Sequence, residues 1–420
     1  MDKIFTAAIV GCGGRGCEAY GKLFYELKDK YKVNCLCDVN EKKLDKYSKM
    51  LEVPLENCFD DEDEFFAKKR ADICVIATLD KDHVRQAIKA LKVGYDILLE
   101  KPITDDVKEC KKLLKAQQKY GGKVLVCHVL RYAPAYIKTA ELLNSGTIGR
   151  LVAIQAIERV TYWHQAHSYV RGNWRNTKDT TPMILAKCCH DLDLLQYYAN
   201  SSCTSVSSVG DLTFFNKQNK PKDASDRCLS CKYVDTCPYS AKCVYLDGWK
   251  KNGCQPNDWP YNVVTMANPL TEDAILEGIK NGPYGRCVFE CDNNAVDHQI
   301  VEMTFNNGVK ASLTMTGFTA TGGRIYSFYG TYGELVLDEN VGVIKVRKFN
   351  QEEEIISLDN LAEGGHSHGG GDYGIVTSLY DMLSGKANFS TSLKASIESH
   401  LMGIFAEKSR LNGGKTYKIH

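Results

Sequence analysis

The sequence has no excess of charge of either sign. Its 53 lysines and arginines are almost balanced by 52 aspartates and glutamates, which leaves a formal net charge of +1 over 420 residues. This balance does not predict binding to nucleic acid or to an anionic membrane surface. Long apolar runs are also missing, since no uncharged stretch approaches the roughly 18 residues that a membrane span needs. We therefore expect neither a nucleic-acid nor a membrane partner.

The N-terminus shows no export signal, because its short apolar run lacks a preceding basic region and leads into glycines. This pattern predicts a cytoplasmic protein. The chain has 18 cysteines, but a disulfide framework is not expected in that compartment. Most of the cysteines stand singly within apolar strands or helices, where a free thiol behaves as a small hydrophobic side chain.

A glycine-rich turn follows the first apolar strand. Residues 7–10 run directly into 11–16, which have the Gly-x-Gly-x-x-Gly pattern of dinucleotide-binding turns. Gly11 would allow the tight bend, Gly13 would let a pyrophosphate approach the backbone, and Gly16 would let a helix over 17–30 pack closely. The phosphates would lie at the N-terminus of that helix. The residues predicted to bind the cofactor here are Gly11, Gly13, Gly14, Arg15 and Gly16.

Strand and helix patterns alternate through about residue 128, and such repeated β–α–β units predict a parallel, doubly wound sheet. The second strand ends in Asp38, about 20 residues beyond the glycines. A carboxylate at this position can accept hydrogen bonds from ribose hydroxyls and would repel a 2′-phosphate. Asp38 therefore favours NAD over NADP. The alternative is an aspartate that only caps the next helix.

Three further motifs lie at strand ends or domain crossovers: Thr78 to His83, Glu100-Lys101-Pro102, and Arg131 to Pro134. Ligands bind outside the carboxyl ends of strands in such sheets. By itself, the tripeptide Glu100-Lys101-Pro102 could simply be a sequence that ends a strand. With the glycines and the sheet, these motifs resemble the Gfo/Idh/MocA family of NAD(P)-dependent sugar and cyclitol oxidoreductases, although Leu79 stands where the family commonly has proline. The resemblance implies cofactor contacts from Thr78, His83, Glu100 and Lys101.

The pattern changes from about residue 151 to long strands with tight turns, such as the hairpin signal at 306–308. We predict an α/β protein with an N-terminal Rossmann domain (1–128) and a C-terminal α+β domain (129–420). The second domain should contain a large, mostly antiparallel open sheet. The resemblance further implies a homo-oligomer, either a dimer or a tetramer.

The segment 182–195 is predicted to be one helix that begins near Pro182. Lys187, His190 and Asp191 would then share one helical face. By itself this pattern also fits a buried histidine satisfied by a neighbouring acid. The resemblance implies that His190 faces the nicotinamide and exchanges the hydroxyl proton, while Lys101 orients or polarises the hydroxyl.

One position departs from the family. Its dehydrogenases commonly carry an aspartate four residues before the histidine, where this chain has Ala186. Three alternatives stay open: Lys187 binds the substrate instead, the proton relay differs, or the overall reaction is not a simple alcohol oxidation.

Residues 162–175 form a predicted loop rich in aromatic and hydrogen-bonding side chains, a composition that suits sugar rings. A structural aromatic cluster is the alternative, and its two histidines lack further ligands at a metal-binding spacing. A glycine-rich stretch at 364–372 is either a second substrate loop or a connector. The residues predicted to bind substrate are Arg131, Tyr162, His164, Trp174, Arg175, Lys187 and Asp191.

A polar insertion at about 216–265 contains four closely spaced thiols. Their number and the opening Cys-x-x-Cys suit tetrahedral zinc ligation, and a structural metal would explain how the insertion stays folded. An iron–sulfur cluster and unpaired thiols are the alternatives. The predicted ligands are Cys228, Cys231, Cys237 and Cys243.

These features predict an NAD-dependent oxidoreductase that moves a hydride to or from a secondary hydroxyl of a sugar, cyclitol or related polyol. One alternative is an NAD-retaining glycosidase or lyase, in which transient oxidation of a ring hydroxyl acidifies the adjacent carbon, permits elimination, and the hydride returns. A second alternative is a non-catalytic, dinucleotide-sensing regulator. The presence of both Lys101 and His190 argues against that regulator.

Overall fold

The structure is a computed structural model, and it describes residues 3–361, 368–387 and 390–419. The first four residues of the predicted loop at 364–372 lie outside these ranges, and residues 368–372 of that loop are described. Within the described ranges, no helix is both long and apolar enough to cross a membrane.

Six parallel strands form the N-terminal sheet. They are β1 (Phe5–Val10), β2 (Tyr31–Cys37), β3 (Cys58–Phe59), β4 (Ile73–Ile76), β5 (Asp96–Leu99) and β6 (Val124–Val126). Their order in the sheet is β3-β2-β1-β4-β5-β6, so the strand order reverses between β1 and β4. Doubly wound sheets bind ligands at that reversal, outside the carboxyl ends of the strands. The predicted Rossmann architecture is confirmed.

Helices cover both faces of this sheet. They are α1 (Lys22–Glu26), α2 (Glu41–Leu51), α3 (Glu62–Phe65), α4 (His83–Val93) and α5 (Val107–Tyr120). A π-helical segment, Gly14–Gly21, precedes α1. The first helix ends earlier than predicted, because the amides of Lys30 and Tyr31 bond to the carbonyl of Leu27 and turn the chain into β2.

Nine strands form the second sheet. They are β7 (Leu151–Thr161), β8 (Cys203–Asp211), β9 (His298–Phe305), β10 (Lys310–Thr319), β11 (Gly323–Gly330), β12 (Gly333–Asp338), β13 (Val343–Lys348), β14 (Glu354–Ser357) and β15 (Tyr417–Lys418). The order is β14-β13-β12-β11-β7-β10-β9-β8-β15. The β7–β10 pair is parallel and the other neighbouring pairs are antiparallel, which confirms the predicted mostly antiparallel sheet.

The remaining helices belong to the second half of the chain. They are α6 (Pro134–Asn144), α7 (Tyr162–His164), α8 (Met183–Ala186), α9 (Cys189–Ala199), α10 (Gly248–Lys251), α11 (Tyr261–Val264), α12 (Glu272–Asn281), α13 (Gly371–Leu383) and α14 (Leu393–Arg410). Helices α9 and α14 pack with one face of the second sheet in a single hydrophobic core. The other face exposes Val152, Val209, Ile300 and Tyr329. The homo-oligomer stays a prediction.

The C-terminal part of the chain returns to the nucleotide-binding sheet. Ile375, Val376 and Leu379 of α13 are buried in the same cluster as Ile9 of β1. Leu393 and Ile397 of α14 belong to the cluster on the other face of that sheet. Burial of each such side chain contributes about 1.5–3 kcal/mol. Residues far apart in sequence therefore hold the edge of the sheet that carries the candidate site.

Candidate active site

The glycine turn is built as the sequence predicts. Gly11 has φ +93°, and a Cβ there or at Gly16 would collide with backbone atoms, in the second case with the carbonyl oxygen of Gly11. A Cβ at Gly13 or Gly14 would meet nothing within 4 Å. The turn therefore keeps open space beside its backbone amides, as a dinucleotide pyrophosphate requires.

Asp38 lies just beyond β2, next to this turn. Its carboxylate accepts hydrogen bonds from the backbone amides of Cys12 at 2.8 Å and Asn40 at 2.9 Å. Helix α2 has its own cap, because the Asn40 side chain accepts from the amides of Lys42 and Lys43. Asp38 is thus held beside the glycine turn, where a ribose would lie, and does not cap the helix.

Arg15 and Glu100 connect the glycine turn to the end of β5. Arg15 Nε donates to Glu100 Oε1 at 2.7 Å, and the Tyr20 hydroxyl donates to the same oxygen at 2.7 Å. The guanidinium also bonds to both carboxylate oxygens of Asp372 in α13. Burial would raise the pKa of Glu100, but Arg15 and Lys101 outweigh it and hold that pKa below its usual value. A charged cluster thus fixes the backbone around Lys101.

His83 ties two strand-end loops together. Its Nδ1 lies 2.7 Å from the carbonyl oxygen of Pro102, and its Nε2 lies 3.1 Å from that of Thr78. The Thr78 hydroxyl in turn donates to Gln86 at 2.6 Å. These contacts position the loops after β4 and β5 relative to each other.

Lys101 reaches the segment that carries His190, and it explains a difference from the prediction. The predicted single helix over 182–195 is wrong, since α8 ends at Ala186 and α9 begins at Cys189. Lys101 Nζ donates to the Ala186 carbonyl at 3.0 Å, the oxygen that a continuous helix would use for the amide of His190.

His190 is buried at the start of α9, and its Nδ1 has no hydrogen-bond partner among the described residues. Burial lowers the pKa of His190 well below its usual value, and the positive charge of Lys101 lowers it further. The rings of His128 and His368 lie 6.0 and 6.4 Å from it, centroid to centroid. His190 is therefore a neutral imidazole close enough to Lys101 for the lysine charge to lower its pKa.

Lys187 belongs to a buried charge network. Its Nζ lies 3.3 Å from Glu158 Oε1, while Arg324 Nη2 lies 2.7 Å from Glu158 Oε2. Arg324 Nε also donates to Asp191 at 2.8 Å, and the Tyr326 hydroxyl donates to the same Asp191 oxygen at 2.7 Å. Burial raises the pKa of Asp191, whereas Arg324 and Lys187 hold the pKa of Glu158 below its usual value against burial.

Glu158 and Arg324 were not predicted as site residues from the sequence, although each is a charged residue on an otherwise apolar strand face. Ile154, Ala156, Glu158 and Val160 are alternate residues of β7 and all are buried, so the acid interrupts the apolar face of a strand. Arg324 is its direct cross-strand partner in β11. Glu158 and Arg324 each interrupt the apolar face of a strand, and opposite charges at such positions on neighbouring strands would have predicted this ion pair.

Arg131 is held in another buried ion pair. Its Nε and Nη2 donate to the Asp193 carboxylate at 2.5 and 2.7 Å, and Arg131 also donates to the carbonyl of Ser390. Both side chains are almost completely buried. The contacts of Arg131 therefore lie within the protein and connect the domain crossover to α9.

The segment 162–175 is helical, and the predicted loop is wrong. It consists of α7, a π-helical segment Gln165–Arg171 and a 3₁₀ turn Asn173–Arg175, and the whole π-helical segment is buried. Aromatic packing accounts for this, since the His167 ring stacks on Tyr284 at 4.7 Å and meets Trp259 at 5.3 Å.

The four predicted substrate residues of this segment do not gather in one place. His164 lies near the reaction centre, because Lys187 and Lys101 both add to the lowering of its pKa by burial. Tyr162 meets the ring of Tyr239 at 5.9 Å. Arg175 pairs with Asp292, and Trp174 is 37% exposed.

The cysteine cluster is not arranged as a metal site. Among the described residues, no group of three or more His, Cys, Asp or Glu side chains is placed to hold a metal ion. Cys228 contacts Arg171 and the Arg286 carbonyl, and Cys243 donates to the Val234 carbonyl. The segment shares a hydrophobic core with α12, and this core includes Cys228, Tyr245, Trp249 and Ile275. Apolar burial therefore supplies the fold stability that the metal prediction had assigned to an ion.

Comparison with known families agrees with this geometry. Residues 5–128 match the Gfo/Idh/MocA model described as an oxidoreductase family with an NAD-binding Rossmann fold. Residues 140–361 match its C-terminal alpha/beta domain. The fold and the strand-end site therefore define an NAD-binding oxidoreductase. The chain belongs to the Gfo/Idh/MocA family.

Individual relatives are distant. The Bacillus subtilis protein YteT is 23% identical over 84% of this chain and 85% of its own length. The 2,7-anhydro-N-acetylneuraminate hydratase of Mediterraneibacter gnavus is 23% identical over 50% of this chain and 53% of its own. The WlbA dehydrogenase of Chromobacterium violaceum, solved with NADH and UDP-GlcNAcA, has a TM-score of 0.69 at 14% identity and covers 100% of this chain and 96% of its own. That last likeness concerns the fold alone.

Proposed function

We propose that this chain transfers a hydride between NAD and a secondary hydroxyl of a sugar, cyclitol or related polyol. The observation that carries the proposal is the bond from Lys101, at the carboxyl end of β5, to the Ala186 carbonyl, four residues before a buried and neutral His190. When bound, NAD supplies the hydride acceptor. Gly11 to Gly16 would hold its phosphates and Asp38 its ribose, and Asp38 supports a preference for NAD over NADP.

The roles of the two catalytic residues follow from their charges. The Lys101 ammonium donates a hydrogen bond to the substrate hydroxyl oxygen and stabilises the negative charge that develops there. His190 accepts the hydroxyl proton, because its imidazole is neutral at physiological pH. Release of Lys101 from the Ala186 carbonyl, its present partner at 3.0 Å, would free its donors for that oxygen.

Other predicted residues divide into two groups under this proposal. His164 and Lys187 would contact further hydroxyls, since both lie near Lys101. Arg131 and Asp191 would act as positioning residues, because their charges are satisfied by Asp193 and Arg324. Glu158 pairs with Lys187, the residue next to Ala186, where the family commonly has an aspartate.

Lys101→Ala tests the assignment. Turnover by the NAD-loaded protein should fall by about 10²–10⁴-fold on a panel of sugars and polyols, measured as NADH formation. NAD affinity, measured by calorimetry, should be retained. Lys112→Ala is the matched control, because Lys112 is an exposed residue of α5 that pairs with Glu109. Near-normal turnover by Lys101→Ala would reject the assignment.

A second candidate is a reaction without net oxidation, in which NAD stays bound and the hydride returns to the product. The hydratase name of the Mediterraneibacter relative and Ala186 in place of the family aspartate favour it. Product formation from a glycoside or anhydro-sugar, with cofactor retained and no net NADH, would distinguish this reaction from a simple dehydrogenation.

A further inference from the structure

We propose that the C-terminal domain contains a second ligand site, which binds a small organic molecule through a carboxylate, sulfate or phosphate group. The site is a cavity of about 530 Å³ lined by four arginines, Arg171, Arg175, Arg227 and Arg286. None of the described residues that line it is acidic. The Lys101 centre is not part of it, so this inference does not depend on the proposed reaction.

The charges around this cavity are not balanced. Asp292 accepts from Arg175 Nε and Nη2 at 2.8 and 3.1 Å, and from Arg286 Nη1 at 2.9 Å. Arg171 and Arg227 have no carboxylate partner within the described parts of the chain. Four guanidinium groups therefore share one carboxylate, which leaves a strongly positive cavity.

The unbalanced positive charge is energetically unfavourable at Arg171, because this side chain is buried. It is only 1% exposed, and its Nε and Nη2 donate to the carbonyls of Arg286 and Tyr239 at 2.8 and 2.7 Å. Its Nη1 is buried and has no hydrogen-bond partner among the described residues. A buried cation without a counter-charge is unfavourable, and an oxyanion bound in the adjoining cavity would supply that charge.

Arg227 is fixed beside Arg286 in a geometry suited to oxyanions. The two residues form an isolated antiparallel bridge. Arg227 Nη2 donates to the carbonyls of Ile279 and Gly282 at 2.7 and 2.8 Å, which holds the guanidinium in place. A guanidinium group can donate two parallel hydrogen bonds to two oxygens of a carboxylate, sulfate or phosphate. A guanidinium that is already held in place loses little conformational entropy when it binds.

The volume and the remaining wall indicate an organic ligand. The cavity has the size of a small-molecule site, and a bare sulfate or phosphate ion would fill only part of it. Val263, Pro283 and Tyr284 add apolar surface to the wall. Tyr284 is stacked on His167, so its ring is a fixed platform. An anionic sugar, such as a uronic acid or a sugar phosphate, combines the ring and the charge that this wall would recognise.

Calorimetry on the full-length, NAD-loaded protein tests the site. The probes are glucuronate, glucose 6-phosphate, neutral glucose and inorganic sulfate, titrated at constant ionic strength in chloride. At least one anionic sugar should bind at least about tenfold more tightly than glucose and than sulfate, because charge-assisted hydrogen bonds contribute about 1.5–3 kcal/mol. Arg227→Gln should weaken that binding about tenfold or more, and Arg227→Lys should weaken it less.

Arg175→Gln is the second variant, because its side chain lies at the cavity rim and its loss is easier to tolerate should Arg227→Gln not fold. Arg347→Gln is the matched control, since Arg347 lies on β13 and pairs with Glu334 and Glu353. Lys101→Ala should bind the anionic sugar as the wild type does, which separates this site from the reaction centre. Three results would overturn the proposal: glucose binding as tightly as both anionic sugars, sulfate binding more tightly than they do, or unchanged affinity in both arginine variants.

Discussion

The buried charges near Lys101 and those at the arginine cavity are arranged in opposite ways. Around the reaction centre, Glu158 lies between Lys187 and Arg324, and Arg324 also has Asp191. At the cavity, the guanidinium groups of Arg171 and Arg227 donate to carbonyl oxygens and a thiol, and neither pairs with a carboxylate among the described residues. A balanced network of buried charges fixes its side chains, whereas an unbalanced one leaves a net charge that a ligand of opposite charge can neutralise.

Removing a carboxylate from the balanced network should have the largest effect on stability. Glu158→Gln leaves Lys187 and Arg324 without their shared counter-charge, and loss of one partner from a buried ion network costs about 3–5 kcal/mol. Urea unfolding measures this change. Glu334→Gln is the matched control, because Glu334 pairs with the exposed Arg347 and such surface pairs contribute about 0–1 kcal/mol. Equal losses in the two variants would contradict the comparison.

Acid should destabilise the protein through its buried histidines. Burial lowers the pKa of His128 to about 4 and that of His400 to about 3, from about 6.5 in the unfolded chain. The unfolded state therefore binds protons more readily, so stability falls as the pH decreases from about 6.5 towards 4. For His128 alone the full change is about 3 kcal/mol.

The buried histidines and the paired carboxylates Glu158 and Asp193 affect stability in different pH ranges. Glu158 and Asp193 have lowered pKa values, so the stability they contribute is lost only below about pH 4. Urea unfolding between about pH 7 and pH 5 should therefore report the histidines. A stability that is constant across that range would show that they do not stay neutral in the folded protein.

The same acid-to-amide change at the cavity should have the smallest effect on stability. Asp292 is half exposed, so Asp292→Asn should reduce the free energy of unfolding by only about 0–1 kcal/mol. It would release donors of Arg175 and Arg286, and the affinity for an anionic sugar should rise by up to about fivefold. Weaker binding in this variant would count against an oxyanion ligand.

The nucleotide-binding half could be predicted well because its signals are local. The glycine turn, Asp38 and the strand-end lysine lie within or next to single strands, and one parallel sheet brings them to one edge. The bounds of β7, 151–161, were also predictable, because the spacing of apolar residues changes there from a helical period to the alternation of a strand.

The substrate half depends on contacts between distant residues. The helix break after Ala186 coincides with a hydrogen bond from Lys101, which lies 85 positions away. Asp372 joins Arg15 across 357 positions, and the burial of Arg171 depends on residues of the cysteine-rich insertion. No local pattern around 162–175 separates a side chain that faces substrate from one that packs on Trp259 or Tyr284.

Transfer of deuterium from substrate to cofactor tests directly whether this site transfers a hydride. Sugars and polyols deuterated at their secondary carbinol carbons would be incubated with the full-length protein and NAD, and the cofactor would then be analysed by NMR and mass spectrometry. We expect deuterium on the nicotinamide ring with at least one substrate, and none with Lys101→Ala. Conversion of a substrate that leaves every deuterium in place and none on the cofactor would contradict hydride transfer by this site.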